Sequence, residues 1–132
     1  MKPSPVSVIV PNYNHAAYLR QRLDSIFQQT FQDFEVILLD DRSADHSVEI
    51  LQAYAQQYAH KVTHLVVNEE NTGNPFVQWK KGIELAQGEF IWIAESDDFC
   101  EPTLLETLYR ALQDKPSVPV AAANLIQVDA QG

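Results

Sequence analysis

Short runs of β-branched and other apolar residues alternate with segments whose apolar residues recur at helical spacing, and this alternation occurs four times. The runs predicted to be strands cover residues 6–10, 34–39, 62–67 and 89–94, and a fifth is predicted at 118–126. The segments predicted to be helices cover about 15–29, 48–58, 76–86 and 104–112. Such an alternation predicts an α/β fold with a mostly parallel central sheet and helices on both faces.

The composition is that of one globular domain with an acidic surface. The chain has 132 residues, of which 45% are hydrophobic, so residues 1–132 are expected to form a single domain with its own core. Eighteen acids against nine bases give a formal charge of −9, which opposes binding to nucleic acid through its phosphates. The single cysteine, Cys100, excludes an internal disulfide and is interpreted as a packed side chain, not a nucleophile.

Two further features of the sequence are the length of its apolar runs and the way it ends. No apolar run approaches the roughly 20 residues that a membrane-spanning helix needs, so no membrane span is predicted. The sequence stops at Gly132 without a closing helix. We therefore expect residues 1–132 to be the N-terminal portion of a longer protein.

Acidic residues follow two of the predicted strands. The run Phe90–Ala94, expected to be covered on both faces of the sheet, leads into Glu95, Asp97 and Asp98, and the second strand ends at Asp40-Asp41. Ligands bind at the carboxyl ends of strands in open α/β sheets, and grouped carboxylates suit Mg²⁺ or Mn²⁺. The alternative is a polar loop that merely leads into the next helix.

The loop after the first predicted strand limits which classes of nucleotide-binding site the chain can form. None of the four glycines lies there, which excludes the glycine fingerprint of dinucleotide-binding folds and the P-loop. The chain offers Pro11-Asn12-Tyr13-Asn14 instead, where Tyr13 could stack on a planar base while Asp41 accepts a base N–H. A metal ion at Asp97-Asp98 would make the acidic chain compatible with a phosphate ligand. Together these residues predict a nucleotide site without a glycine loop.

Three segments carry a resemblance to a known family. Residues 6–14, 34–45 and 88–98 resemble, in order and spacing, the landmarks of family 2 glycosyltransferases of the GT-A fold. The resemblance implies an inverting enzyme that uses a nucleoside-diphosphate-sugar donor of the UDP or dTDP type with Mn²⁺ or Mg²⁺. It also implies a carbohydrate or glycolipid acceptor in surface polysaccharide or glycoconjugate synthesis. The expected location is the cytoplasm, either free or peripheral at the inner face of the membrane.

The resemblance assigns roles to particular positions. Pro11 and Tyr13 match residues that line the nucleobase, and Asp41 matches the acid that reads the pyrimidine N–H. Asp98 matches a metal ligand, and Asp97 matches a residue that binds the metal or the ribose. Asp40 is expected to be structural, and Glu95 is expected to support the metal site without binding the ion.

The third predicted helix departs from the family pattern. Many members carry an Arg-Asn pair in the helix after the Asn-x-Gly loop, whereas this chain has Gly73-Asn74-Pro75-Phe76 and then Trp79-Lys80-Lys81-Gly82. Lys80 or Lys81 could supply positive charge to a diphosphate, although solvent-facing lysines are the simpler interpretation. Trp79 falls on the apolar stripe with Phe76 and Ile83, and it is predicted to lie in the core instead of forming a sugar platform. The four histidines are interpreted as surface or capping residues.

No general base is assigned within residues 1–132, because the family's base lies after the metal motif, in the acceptor-binding half. Little or no turnover is therefore expected from these residues alone. The alternatives are a non-catalytic nucleotide-binding or scaffold module, a nucleotidyltransferase, which would normally bring a glycine-rich phosphate loop, and a receiver-like signalling domain.

Overall fold

Strands and helices alternate along the chain as the sequence predicts. The computed structural model describes residues 2–117 and 119–121. The elements are β1 (Val6–Asn12), α1 (Ala16–Phe27), β2 (Phe34–Asp40), α2 (Ser47–Gln57), β3 (Val62–Val67), α3 (Pro75–Leu85), β4 (Phe90–Ile93) and α4 (Leu104–Asp114). The four strands are parallel in the order β3-β2-β1-β4. The prediction of an α/β fold with a parallel sheet is confirmed.

Most of the strand predicted at 118–126 lies outside the described residues, and residues 119–121 are not in a strand. Among the helices of the described part, none has both the length and the hydropathy needed to cross a membrane.

The sheet carries helices on both faces, as predicted. Alternate residues of β1 point to opposite faces, so Val8 packs with α1, α2 and α4, while Ile9 faces α3. Helix α3 lies very close to β1 at Gly82. A Cβ added at this glycine would stand only 2.4 Å from Cγ2 of Ile9, so no larger residue fits without a shift. The cores on the two faces hold the carboxyl ends of β1, β2 and β4 together at one edge.

The predicted apolar stripe of α3 does not form its buried face. Phe76 is 65% exposed and Ile83 is 46% exposed, whereas Gln78 and Gly82 are buried. The prediction was wrong because the close contact at Gly82 fixes the rotation of the helix and turns the larger apolar side chains outward. The coverage of β4 was also overestimated, since Ile91 is 42% exposed and α3 lies over β1 and β2.

A buried carboxylate ties three parts of the sheet together. Glu35 on β2 accepts hydrogen bonds from Ser7 Oγ at 2.6 Å, Thr63 Oγ1 at 2.8 Å and the Gln87 backbone N–H at 2.8 Å. Burial alone would raise the pKa of Glu35, but these hydrogen bonds outweigh it and leave the pKa below its ordinary value. The ionised carboxylate therefore contributes to the stability of the fold.

Replacement of Glu35 by Gln is expected to lower the free energy of unfolding at pH 7 by about 1–3 kcal/mol, because charge-assisted hydrogen bonds are lost. A depressed pKa gives stability that is present above the unfolded-state pKa of about 4.3 and is lost as the pH falls through the folded-state pKa. The difference between wild type and variant should therefore shrink between pH 7 and pH 3 in urea unfolding. Glu84→Gln, at an exposed position of α3, is the control, and a Glu35 effect that did not depend on pH would contradict the prediction.

Candidate functional site

The loops after β1 and β2 are joined into one unit by hydrogen bonds. The Asn14 N–H donates to Ser43 Oγ at 2.9 Å, and the Ala44 N–H donates to Asn14 Oδ1 at 2.8 Å. The Asp40 carboxylate accepts from Asn12 Nδ2 at 2.9 Å and from Ser43 Oγ at 2.6 Å. Asn14 has φ +55°, a left-handed conformation that asparagine tolerates. Asp40 thus has the structural role that was expected for it.

A cleft of about 320 Å³ opens at the carboxyl ends of the strands. Its walls come from the loops after β1, β2, β3 and β4 and from the start of α3. The lining residues are Pro11, Asn12, Tyr13, His15, Asp41, Asn71, Gly73, Asn74, Pro75, Gln78, Glu95 and Ser96. The structure therefore brings Pro11, Tyr13 and Asp41 together, as the sequence predicts. Asp97 and Asp98 do not line the cleft; they follow Ser96 in the next turn, and both are exposed.

Pro11 and Tyr13 differ in their solvent exposure. Pro11 is buried in the floor of the cleft, while Tyr13 is 47% exposed at its rim. A half-exposed ring beside a concave site leaves a π-face free for a planar ligand.

The Asp41 carboxylate is buried and already well hydrogen-bonded. Its Oδ1 accepts from the Thr72 N–H at 2.9 Å and from Asn68 Nδ2 at 2.8 Å, and its Oδ2 accepts from Thr72 Oγ1 at 2.8 Å. Asn71 Nδ2 makes a longer contact with Oδ2 at 3.4 Å. Burial alone would raise the pKa of Asp41, but the hydrogen bonds outweigh it and lower the pKa. A ligand N–H could replace the long contact from Asn71 without disturbing the others.

Glu95 lines the cleft and is held there by Trp79. The indole Nε1–H of Trp79 donates to Glu95 Oε1 at 2.8 Å. Burial raises the pKa of Glu95, and the charges of Asp97 and Asp98 raise it further, against the lowering effect of the indole. The prediction that Trp79 is a core residue was wrong, because this half-buried side chain orients an acid at the site.

His15 is a site residue that sequence reasoning missed. Its Nδ1 lies 2.8 Å from Ser96 Oγ, and both residues line the cleft. His15 is the N-cap residue of α1, as its interpretation as a capping residue implies, but its side chain makes no capping hydrogen bond and contacts Ser96 at the cleft instead. The available signal was its position directly after Tyr13-Asn14, in the loop that carries the predicted base-binding residues.

Positive charge near the acids comes from an unexpected residue. Arg22 lies on the buried face of α1, with its guanidinium carbon 5.2 Å from the centre of the Trp92 ring. Burial lowers the pKa of Arg22, while Asp98 and Glu95 are among the neighbours that raise it. Arginine remains charged in proteins, so this buried cation partly offsets the acidic turn.

The two lysines of α3 have different surroundings. Lys81 is half-buried and donates to Asn68 Oδ1 at 2.6 Å, whereas Lys80 is exposed. Neither lines the cleft. Lys81 therefore takes part in the network behind the cleft, and Lys80 fits the simpler interpretation of a solvent-facing lysine.

The carboxylates of the turn after β4 suit a hard cation that a ligand helps to bind. Asp97 and Asp98 are both exposed, and the Asp98 N–H closes the turn by donating to the Glu95 carbonyl at 3.2 Å. Within residues 2–117 and 119–121, no group of three or more His, Cys, Asp or Glu side chains could hold a metal ion. Mg²⁺ is commonly held by one or two carboxylates together with phosphates and water. The residues present therefore fit an ion completed by a diphosphate.

Comparison with known proteins identifies the family. The sequence model described as glycosyl transferase family 2 matches residues 7–129, nearly the whole chain. The chain belongs to glycosyl transferase family 2. The resemblance of the three strand-end segments to this family is thus confirmed.

Curated relatives are glycosyltransferases that are longer than this chain. Glycosyltransferase GlyG of Streptococcus pneumoniae is 41% identical over 110 residues, which cover 83% of this chain and 36% of GlyG. The poly(ribitol-phosphate) beta-glucosyltransferase of Bacillus spizizenii is 32% identical over 85% of this chain and 18% of its own length. The chain thus spans about a third or less of these relatives.

Solved structures show the same fold. TarS of Staphylococcus aureus, residues 1–349 in complex with UDP-GlcNAc, superposes with a TM-score of 0.73 at 32% identity, covering 86% of this chain and 32% of that 1–349 chain. The mannosyltransferase PcManGT of Pyrobaculum calidifontis, solved with GDP-Man and Mn²⁺, has a TM-score of 0.74 over 87% of this chain and 34% of its own. At 24% identity, the second likeness concerns the fold alone. The fold is GT-A.

Proposed function

We propose that this chain is the donor-binding part of an inverting, metal-dependent glycosyltransferase that uses a UDP- or dTDP-sugar. The observation that carries the proposal is the cleft, in which Tyr13, Asp41 and Glu95 meet from the ends of three neighbouring strands. Tyr13 stacks on the base above Pro11, and Asp41 accepts the pyrimidine N3–H. The structure of TarS with UDP-GlcNAc, at 32% identity, supports a uridine donor.

The carboxylate of Asp98 would hold Mn²⁺ or Mg²⁺ beside the donor diphosphate. Asp97 would bind the same ion or the ribose of the donor. The bound ion would stabilise the negative charge that develops on the departing nucleoside diphosphate. Glu95 supports this turn from the cleft side through its hydrogen bond with Trp79. Arg22 adds a fixed positive charge whose field reaches Asp98 and Glu95.

Inversion needs an acceptor hydroxyl that attacks the anomeric carbon opposite the leaving group, and a base that takes its proton. We place that base, with the acceptor site, in the part of the relatives' length that this chain does not cover. We propose a carbohydrate or glycolipid acceptor in surface polysaccharide or glycoconjugate synthesis. The relative named as a poly(ribitol-phosphate) beta-glucosyltransferase supports this proposal.

Calorimetric titration of UDP, dTDP and GDP, each with and without Mn²⁺, tests the donor site. We expect both pyrimidine nucleotides to bind with Mn²⁺, and to bind more weakly without it. Circular dichroism establishes that the protein used is folded. If neither this chain nor its longer parent bound any of the three nucleotides, the proposal would fail and a non-catalytic scaffold module would be favoured.

A further inference from the structure

The wall of the cleft contains a buried hydrogen-bond donor that has nothing to bind. Gln78 on α3 is 2% exposed and lines the cleft. Its Nε2 has no hydrogen-bond partner among the residues that the structure describes. Buried polar groups are nearly always paired, since an unpaired one loses its hydration without compensation. An unpaired donor in the wall of a cleft indicates that a bound ligand supplies the hydrogen-bond acceptor.

The orientation of the Gln78 amide follows from its neighbours. Lys81 Nζ can only donate, and it donates to Asn68 Oδ1 at 2.6 Å. Asn68 Nδ2 must therefore face the other way, where it donates to Asp41 Oδ1 at 2.8 Å and to Gln78 Oε1 at 2.9 Å. Because the oxygen of Gln78 faces Asn68, its free end is Nε2.

The same network places the Gln78 side chain near the acid of the cleft. Asp41 Oδ1 and Gln78 Oε1 both accept from one nitrogen of Asn68, so the two side chains are neighbours. The pair offers a carboxylate acceptor and an amide donor in the same part of the cleft. Uracil and thymine present the complementary edge, an N3–H beside a C4 carbonyl, whereas cytosine presents an unprotonated N3 beside an amino group.

We propose that Gln78 determines base specificity: its Nε2–H donates to the C4 carbonyl oxygen of the donor pyrimidine while Asp41 accepts the N3–H. This inference rests on the proposed donor site and adds a residue to it. A site built to hydrogen-bond a ligand group discriminates against an analogue that lacks the group, because the buried partner is left unpaired. Gln78 therefore favours UDP and dTDP over CDP.

The test compares UDP with CDP in the presence of Mn²⁺ by calorimetry on the intact chain. Gln78→Met keeps the length of the side chain and removes the amide, so the affinity for UDP should fall about tenfold, equivalent to one lost hydrogen bond. The affinity for CDP should change less than about twofold, because CDP gains nothing from the amide. Gln56→Met, at an exposed position of α2, is the matched control and should leave both affinities unchanged.

A second variant keeps the proposal testable if Gln78→Met fails to fold. Gln78→Glu retains the oxygen that accepts from Asn68 and replaces the donor with an acceptor, so the preference should shift toward CDP. An unchanged ratio of UDP to CDP affinity in a folded variant would overturn the role of Gln78 and leave the donor site standing. Failure of both the wild type and its longer parent to bind UDP, dTDP or GDP would overturn both proposals.

Discussion

Asp98→Asn is expected to remove the Mn²⁺-dependent part of UDP binding, with a loss of affinity of at least about 100-fold when the ion is present. Substitution of residues that merely orient metal ligands already lowers metal affinity by about 10–100-fold, and the loss of a ligand itself should lower it more. Asparagine preserves the size of the side chain, so the turn closed by the Asp98 N–H and the Glu95 carbonyl can persist. The variant therefore isolates the charge of the carboxylate. Calorimetric titration with and without Mn²⁺ measures the effect directly.

The matched control for this experiment is Asp114→Asn. Asp114 is exposed at the end of α4, and its replacement changes the net charge by the same amount. We expect this variant to bind UDP like the wild type. Without Mn²⁺, Asp98→Asn should also resemble the wild type, because only the ion is lost. Mn²⁺-dependent binding that persisted in Asp98→Asn would mean that other groups hold the metal.

Gly88→Ala is expected to lower the free energy of unfolding by about 2–4 kcal/mol. A Cβ at this position would lie 2.7 Å from the backbone nitrogen of Ser7 and 2.8 Å from the backbone carbon of Val6. Overpacking typically costs 1–3 kcal/mol, and backbone atoms of a central strand have little freedom to move aside. The Gly88 N–H also donates to Ser7 Oγ at 2.8 Å, a contact that the strain would weaken. Urea unfolding at neutral pH measures the loss.

Two further variants separate the clash from other effects of alanine. Gln87→Ala, next to Gly88, adds no new contact and keeps the backbone N–H that donates to Glu35, so it should be nearly neutral. Gly82→Ala should also be destabilising, but a shift of the Ile9 side chain can relieve part of its clash. A Gly88→Ala protein as stable as the wild type would show that β4 can move away from β1.

The sequence predicted the sheet well because buried strands and amphipathic helices carry a strong periodic signal. The bounds of β3, for example, are those predicted. The same signal failed for α3, where it assigned Phe76 and Ile83 to the core. Hydropathy does not register that the absence of a side chain at Gly82 allows the backbones to approach, and this approach decides which face of α3 is buried.

The part of the candidate site that lies at the ends of strands could be predicted from the sequence. Parallel topology alone brings the residues after β1 and β2 to one edge, which is why Tyr13 and Asp41 line one cleft. His15, Asn68 and Gln78 were missed because polar residues in loops and on a glycine-containing helix face have no periodicity to reveal them. Their importance comes from pairwise hydrogen bonds between residues far apart in sequence, which only the folded chain shows.

The hydrogen bonds that join the loops after β1 and β2 bear on how donor preference can change during evolution. Asp40, Asn14 and Ser43 hold these loops together but do not line the cleft. Gln78 lines the cleft but takes no part in joining those loops. Mutations at Gln78 can therefore alter which base is accepted while the frame that presents Tyr13 stays intact. Base preference and the presentation of the stacking ring thus depend on separate sets of residues, so that selection can act on one set without acting on the other.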